Sequence, residues 1–426
     1  MMLPQLWESR SIESVYDFTK KPRGIVYSEY EQVPFIPMEM VPIDRPYIND
    51  NNIRNGRDIR SGNYFEKGDV LLAKITPSFE NGKQGIAKDI PGLFGVASTE
   101  LIPIREKSGI SSKYFLFYYL LEKEVRKQIT QKMEGTTGRQ RIPISVLKKW
   151  MIPFPPLKEQ EKIAAVLFKI QQAIEVQDSI IEAAQELKKS TMEHVFTHGL
   201  RGEKTKETKI GRIPESWETE HLGQKALITA GGTPSRNISA YWKNATIPWV
   251  KTSEINYKLI TSTEEHITEE GLNNSVAQIL PVGTILMAMY GQGVTRGKVA
   301  LLGIEATTNQ ACAAIQPYKD INSDFIYYYL TKSYEKLRSL GHGAQQPNLN
   351  KQIIQSFTIA LPKKDEQKEI ADILQAVDKK NKLHTSKTIM LQDLFKTMLN
   401  KLMTGDIRVK DLDIDTSCVL EMKNKR

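Results

Sequence analysis

Several stretches of the 426-residue chain carry residues whose types and spacing could do chemistry. Residues 291–298 read GQGVTRGK, close to a phosphate-cradling loop. Counted back from Gly297-Lys298, the first glycine should stand at 292, which is Gln. The residue after the lysine is Val299, where Mg²⁺ would need a Ser or Thr hydroxyl. A turn between strands is the expectation there. His194 and His198 stand four apart, on one face of a helix, but no Glu follows His194 and the metalloprotease pattern fails. Cations in a last helical turn complement the helix dipole, which suffices for both. Ala230-Gly231-Gly232-Thr233-Pro234 is not the G-x-G-x-x-G of a dinucleotide fold. Cys312 and Cys418 have no partner spacing, and neither a serine elbow nor a tuned carboxylate pair stands out. The expectation is a chain with no catalytic residue, no metal and no cofactor of its own.

The chemistry left is recognition. Basic, amide and aromatic side chains gather in segments without periodicity. In the first half these are Lys20, Lys21, Arg23, Arg54, Arg57, Arg60, Lys74, Lys83, Arg139, Gln140 and Arg141. In the second they are Arg236, Lys251, Tyr290, Gln292, Arg296, Lys298, Asn309, Gln310, Gln345 and Gln346. Arg and Lys pair with phosphates or with guanine O6 and N7, while Asn and Gln suit adenine N6 and N7. Solvated loop charge accounts for most such residues taken one at a time, so these are candidates for DNA contact. Tyr241-Trp242 and the run Tyr327 to Tyr329 are expected in the core instead.

A formal charge of +9, from 59 basic and 50 interspersed acidic residues, leans toward a polyanionic partner without requiring one. No apolar run approaches the roughly 18 residues that span a bilayer, and the opening MMLPQLWESRSIESVYDFTKKPRG lacks the apolar core of a signal peptide. Two cysteines are too few for a disulfide framework. These features point to a reducing cytoplasm with no membrane partner.

The elements that must position those loops are repeated. From about Pro155 to Phe196 an amphipathic run opens on proline, carries Glu159-Gln160, and places Ile163, Val166, Leu167, Ile170 and Ile174 at helical spacing. From about Pro362 to Met403 a second run does the same with Glu366-Gln367 and Ile370, Ile373, Leu374 and Val377. Two long helices about 207 residues apart mean a duplication. Strands are expected at 33–36, 70–75, 85–87 and 101–104, with 51–62 a surface loop. A helix begins at Tyr114 and continues into EKEVRKQI. The second half repeats this order: 247–250 answers 33–36, 281–286 answers 66–71, and 325–330 answers the helix at Tyr114. The basic, glycine-containing stretch 198–213 reads as a surface linker, and residues 405–426, after the glycine stop at Gly405, as a loose tail.

Taken in order, these motifs resemble the specificity subunit of a type I restriction-modification system. The resemblance is carried by Ile213-Pro214-Glu215-Ser216-Trp217, Gly231-Gly232-Thr233-Pro234, Tyr241-Trp242, Ile247-Pro248-Trp249, Thr308-Asn309-Gln310-Ala311 and Gln346-Pro347-Asn348-Leu349. Leu361-Pro362 with Glu366 to Ala371, Leu402-Met403-Thr404-Gly405, and Pro153 to Leu157 with Glu159-Gln160 complete it. It implies an α+β pseudo-repeat of two tandem globular target-recognition domains, 1–154 and 214–361. Each is followed by a long spacer helix, 155–197 and 362–404, and the helices pack as an antiparallel coiled coil. Ile163, Ile170, Ile174, Ile181 and Leu187 on the first helix, and Ile370, Ile373, Val377, Leu391 and Leu394 on the second, are expected to form that seam and the partner surface.

The resemblance further implies double-stranded DNA as ligand, read as two half-sites. Two methyltransferase subunits, which bind S-adenosylmethionine, would dock on the helices, and restriction (translocase) subunits would join the complex. The first domain lacks a Gly-Gly-Thr-Pro element, so the two halves should read different half-sites. The polar middle of the second helix, Lys379-Lys380-Asn381-Lys382 with His384 and Lys387, argues against a continuous dry seam. A coiled-coil adaptor whose globular parts bind proteins is the rival; it accounts for the helices but not for the basic and amide-rich loops.

Overall fold

The computed structural model describes residues 4, 6–43, 45–136, 138–291, 294–340 and 348–420. They fall into two units, one drawn from 1–179 and 385–426, the other from 180–384. Two helices dominate: Leu157–His198, of 42 residues, and Lys364–Thr404, of 41 residues. Each unit takes the start of one long helix and the end of the other.

In unit 1 a four-stranded antiparallel sheet runs in the order Tyr16–Phe18, Leu101–Glu106, Val70–Ala73, Gln84–Ile86. The strand Val70–Ala73 is apolar at every position because both faces are covered. Val70 and Leu72 face a core with the aromatic helix Lys113–Tyr119 and the long helices, while Leu71 and Ala73 face a second core with Ile36, Val41 and Phe65. That is the period-two alternation of a strand. The run from Tyr114 to Leu120 is buried throughout, as a helix apolar on all sides must be. It lies between the sheet and the long helices, sharing a core with Ile163, Leu167 and Phe168 of the first and Leu399, Leu402 and Met403 of the second. The Tyr118 hydroxyl donates to Gln171 Oε1 (3.0 Å) and its ring meets Phe395. Glu159, earlier in the first helix, meets Arg408, past the end of the second (2.8 Å). Within unit 1 the two helical segments therefore run antiparallel.

Unit 2 is built on the same plan. Its main sheet runs Ala226–Ala230, Cys312–Pro317, Ile285–Ala288, Val299–Leu302, Leu259–Ile260. Ile285 and Met287 face the aromatic helix Ser323–Lys332 and the long helices, and Leu286 and Ala288 face a second core. Lys188 donates to both Asp378 oxygens (2.6 and 2.9 Å), and the Leu200 amide donates to Glu366 (3.3 Å). As one chain advances the other retreats, so these segments too are antiparallel. Smaller sheets in both units repeat a parallel pairing: Val33–Ile36 beside Phe94–Ala97, and Ile247–Val250 beside Thr307–Thr308.

The Glu-Gln pairs acquire a physical reason. Gln160 is fully buried; its Oε1 accepts from the Ser112 amide (2.9 Å) and its Nε2 donates to the Pro155 carbonyl (2.8 Å). Gln367 does the same with the Asn322 amide (2.9 Å) and the Pro362 carbonyl (3.0 Å). Ser112 and Asn322 are the residues that precede the two aromatic helices. One carboxamide thus fastens the start of each aromatic helix to the first turn of each long helix. Gln367→Ala strands a buried donor and a buried acceptor, so a loss of about 1–3 kcal/mol is expected in denaturant unfolding. Glu at this position would not restore the bond to Pro362, because an ionised carboxylate donates nothing.

Several expectations are corrected. The helix from Tyr114 does not continue into EKEVRKQI: it ends at Tyr119, and Lys123–Thr130 is a separate helix whose Val125 amide is capped by Glu122 Oε2 (2.9 Å). The stretch 51–62 is not all loop but holds the strand Asn52–Arg54 and a 3₁₀ turn, Gly56–Asp58. The linker contains a two-stranded antiparallel hairpin, Thr205–Thr208 with Gly211–Pro214. The described tail, 405–420, is not loose. Val409 and Val419 are buried in the unit 1 core, Arg408 binds Glu159, and Lys162 Nζ donates to the Lys410 and Leu412 carbonyls (2.8 and 2.7 Å). Residues 421–426 lie outside the described residues.

The helix seam is also only partly as expected. Ile163 and Ile370 are buried, and Ile170, Ile174, Ile181, Val377 and Leu391 are half-buried. Leu187, Ile373 and Leu394 point to solvent, 43–56% exposed. Ala184, Met192, Val195, Leu399 and Leu402 occupy the interior positions instead, because the packed face drifts round each helix. The seam is not dry: Lys188 and Asp378 form an ion pair on it, joined by the Tyr328 hydroxyl (2.7 Å).

Candidate nucleic-acid interface

In unit 1 the basic candidates form two groups. The first is built on the strand pair Val33–Ile36 and Asn52–Arg54. The Arg54 guanidinium lies 3.5 Å from the centre of the Phe35 ring, and Lys21 Nζ 4.8 Å from that of Tyr27. Tyr27–Glu29 and Gly56–Asp58 abut so closely that a Cβ at Gly56 would stand 1.7 Å from the Tyr27 carbonyl. This close approach holds Lys21, Arg54 and Arg57 around one surface, and Lys20, Arg23 and Arg60 are exposed on neighbouring loop positions. Such a surface can hold a sugar-phosphate strand electrostatically.

The second group lies at the end of the strand Val70–Ala73. Glu134 and Arg141 exchange both backbone hydrogen bonds (2.8 and 2.9 Å) and close a short hairpin carrying Gly135, Gly138, Arg139 and Gln140. Lys74 joins it through its carbonyl, which accepts from the Ile142 amide (2.9 Å). Arg141 grips Glu100 with Nε and Nη2 (3.0 and 2.7 Å), and this bond from Arg141 lowers the Glu100 pKa. A pocket of about 330 Å³ opens beside Lys74, Glu134 and Arg141. Lys83 joins neither group, since its ammonium donates to the Met38 carbonyl (2.9 Å) and braces the domain.

In unit 2, too, loops converge on close backbone contacts. A Cβ at Gly231 would stand 2.3 Å from the Thr308 and Asn309 carbonyls, and one at Gly232 2.4 Å from the Ala277 nitrogen. Only glycine lets these backbones meet. Thr233 then donates to Gln310 Oε1, and Trp249 Nε1 to the Gly232 carbonyl (2.9 Å). The Arg236 guanidinium stacks on Trp242, 3.6 Å from the ring centre, and pairs with Glu265. Lys251 pairs with Glu264 (2.6 Å) and Glu265 (3.3 Å). The bond from Arg236 first, and that from Lys251, depress the Glu265 pKa.

Gln310 is exposed, whereas Asn309 turns inward. Its Oδ1 accepts from Thr252 Oγ1 (3.0 Å), the Ala311 amide (3.1 Å) and Cys312 Sγ (3.1 Å), fixing the loop's shape.

Arg296 and Lys298 stand on a different element. Residues 291–298 join the antiparallel strands Ile285–Ala288 and Val299–Leu302, as the failed phosphate-loop spacing predicts. Arg296 Nη2 donates to the Arg338 carbonyl (3.5 Å) and Lys298 to Asn256 (2.8 Å). Tyr290 is exposed beside them. Gln292, Gln345 and Gln346 lie outside the described residues. The acidic set Glu100, Glu264 and Glu265, which holds three of the candidate cations, does not stand out by residue type. Their signal was present in the Glu264-Glu265 pair, but its basic partners lie far along the chain. Among the described residues no group of three or more His, Cys, Asp or Glu is placed to hold a metal ion, and no helix is long and apolar enough to cross a membrane.

The duplicated fold has counterparts among known proteins. The type I restriction modification DNA specificity domain matches the chain twice, over residues 4–186 and 214–392. The putative type I restriction enzyme MjaX specificity subunit of Methanocaldococcus jannaschii is 27% identical over 425 residues, 96% of this chain and 95% of its own length. The MjaVIII specificity subunit of the same organism is 27% identical over 333 residues, 76% of each chain. The S subunit of a type I restriction-modification system from M. genitalium superposes with a TM-score of 0.61 at 17% identity, covering 95% of this chain and 98% of that one, a likeness of fold. Two copies of the same specificity domain, each joined to a long helix, place the protein in the family of type I restriction-modification DNA specificity subunits.

Proposed function

We propose that the chain recognises a bipartite, asymmetric DNA target, each unit reading one half-site, and that it brings methyltransferase subunits to that target. The observation that carries this reading is the duplicated frame with unlike reading surfaces. The same glutamine clamp, aromatic helix and sheet recur in both units. The loops they carry differ: Arg54 on Phe35 and Arg141 on Glu100 in one, Arg236 on Trp242 with Gln310 in the other. A shared frame suits a common partner, and unlike loops suit unlike half-sites.

The chain supplies positioning and specificity, and the methyl donor S-adenosylmethionine binds the modification subunits. These dock on the long helices, where Val176, Leu187, Ile373, Leu383, Ile389, Met390 and Leu394 remain 43–70% exposed after the helices have packed. These uncovered side chains give a docking subunit apolar area to bury. A restriction subunit joins the same complex, which works in the cytoplasm.

Sequencing the methylated adenines in DNA modified by this chain with its modification subunit tests the reading. A split target with two unlike halves is expected, and unmodified DNA or a continuous target contradicts it. Binding to the mapped duplex should weaken steeply with salt. Arg139→Ala should lower the salt slope by about one, and Gln346→Ala should weaken binding several-fold. Wild-type affinity in both variants would place these loops away from DNA.

A further inference from the structure

Arg141 is held in a way that a general phosphate contact does not require. Glu100, 41 residues earlier in the chain, accepts from Arg141 Nε (3.0 and 3.1 Å) and from Nη2 (2.7 Å). One carboxylate therefore covers one edge of the guanidinium plane. Along the end edge, one hydrogen of Nη1 and the second hydrogen of Nη2 have no acceptor among the described residues. The Arg141 side chain as a whole is 46% exposed.

Its backbone is fixed as well. Arg141 exchanges two hydrogen bonds with Glu134, and the Glu100 carbonyl accepts from the Lys74 amide (2.9 Å). Both members of the pair thus sit on paired backbone rather than on a free loop tip.

A guanidinium fork can take two phosphate oxygens as well as two base acceptors, but the carboxylate beside this one would repel a phosphate. A fixed plane with two parallel N–H groups pointing outward fits a planar pair of acceptors. On a duplex the pair of that geometry is O6 and N7 of guanine in the major groove. We propose that Arg141, oriented by Glu100, reads one guanine of the half-site recognised by unit 1. This rests on the chain being a DNA specificity subunit. Glu100 acts as a positioning residue, and a pocket lined by Lys74, Glu134 and Arg141 lies beside the pair.

The test uses the complex with its modification subunit and a duplex carrying the mapped target. Each guanine of both half-sites is replaced in turn by 7-deazaguanine, which keeps the base pair and removes the N7 acceptor. The wild-type complex should lose about tenfold in affinity at one guanine. Arg141→Ala should show that loss on natural DNA and no further loss at the same guanine. Arg141→Lys, which can still reach the guanine but loses the planar fork held by Glu100, should keep only part of the N7 sensitivity there, and so should Glu100→Gln. If Arg141→Ala keeps every N7 sensitivity of the wild type, or no guanine shows one, the assignment is overturned while the DNA-reading function stands. A wild-type complex that prefers no sequence overturns both.

Discussion

Four residues inserted beside Glu182 in the first long helix should lengthen the gap between the half-sites and leave each half-site unchanged. The helix Leu157–His198 runs without a break through the division between the two units at Ser179 and Ile180. A turn added there extends the helix by roughly 6 Å, at about 1.5 Å per residue. DNA rises about 3.4 Å per base pair, so a gap one or two base pairs longer is expected. The residues that would touch bases lie far from the insertion, on loops anchored to the sheets and aromatic helices of each unit. Mapping methylated adenines after modification by the altered complex reads the result directly. A gap of the original length would remove the long helices from any role in spacing. Because the original target should no longer be modified, the effect is a change of specificity rather than a partial loss.

Removing Glu159 should produce the largest loss of stability. Its carboxylate is 3% exposed, accepts from Arg408 through Nε and Nη2 (2.8 and 2.9 Å), and accepts from Trp7 Nε1 (3.1 Å). Glu159→Ala takes the carboxylate away from a partly buried guanidinium and leaves a buried indole N–H without its acceptor, at a cost of about 3 kcal/mol. It also releases the tail segment that carries Val409 into the unit 1 core.

The same contact sets a pH dependence. Burial alone would raise the Glu159 pKa, but the bonds from Arg408 and Trp7 outweigh it and the net shift is downward. A carboxyl depressed in the folded state stabilises the fold fully above its unfolded value, about 4.3, and loses that contribution as pH falls through the folded value. Glu159→Gln should therefore be less stable than wild type at neutral pH, with the gap closing as the pH drops below about 4. Urea unfolding midpoints across that range measure it, and a gap independent of pH would mean the charge contributes nothing.

Much of the frame was legible because its signals are local. Apolar residues at helical spacing from Ile163 to Ile174 define the first long helix, and the run from Tyr114 to Leu120 is apolar enough to demand burial on all sides. The repeated Glu-Gln pair announced the duplication but not its purpose. That purpose depends on Ser112, 48 positions from Gln160, arriving at its carboxamide. The tail looked loose because it is polar, yet two valines and one arginine suffice to fasten it once Glu159 and the core are in place. Among the site candidates, residue type alone could not separate Lys83 and Asn309, which brace their own domains, from Arg141 and Gln310, which face outward.

By itself, then, the sequence determined the duplication, the two long helices, the aromatic helices and the absence of a complete phosphate-loop motif. All of these follow from periodicity or from fixed spacing along the chain. Only the tertiary structure decided which cations are held by carboxylates, which apolar helix residues stay uncovered, and where the tail goes. Those outcomes rest on hydrogen bonds and ion pairs between distant residues, 41 positions for Arg141 and Glu100 and 29 for Arg236 and Glu265. Bond direction and burial exist only after the backbone has brought such partners together.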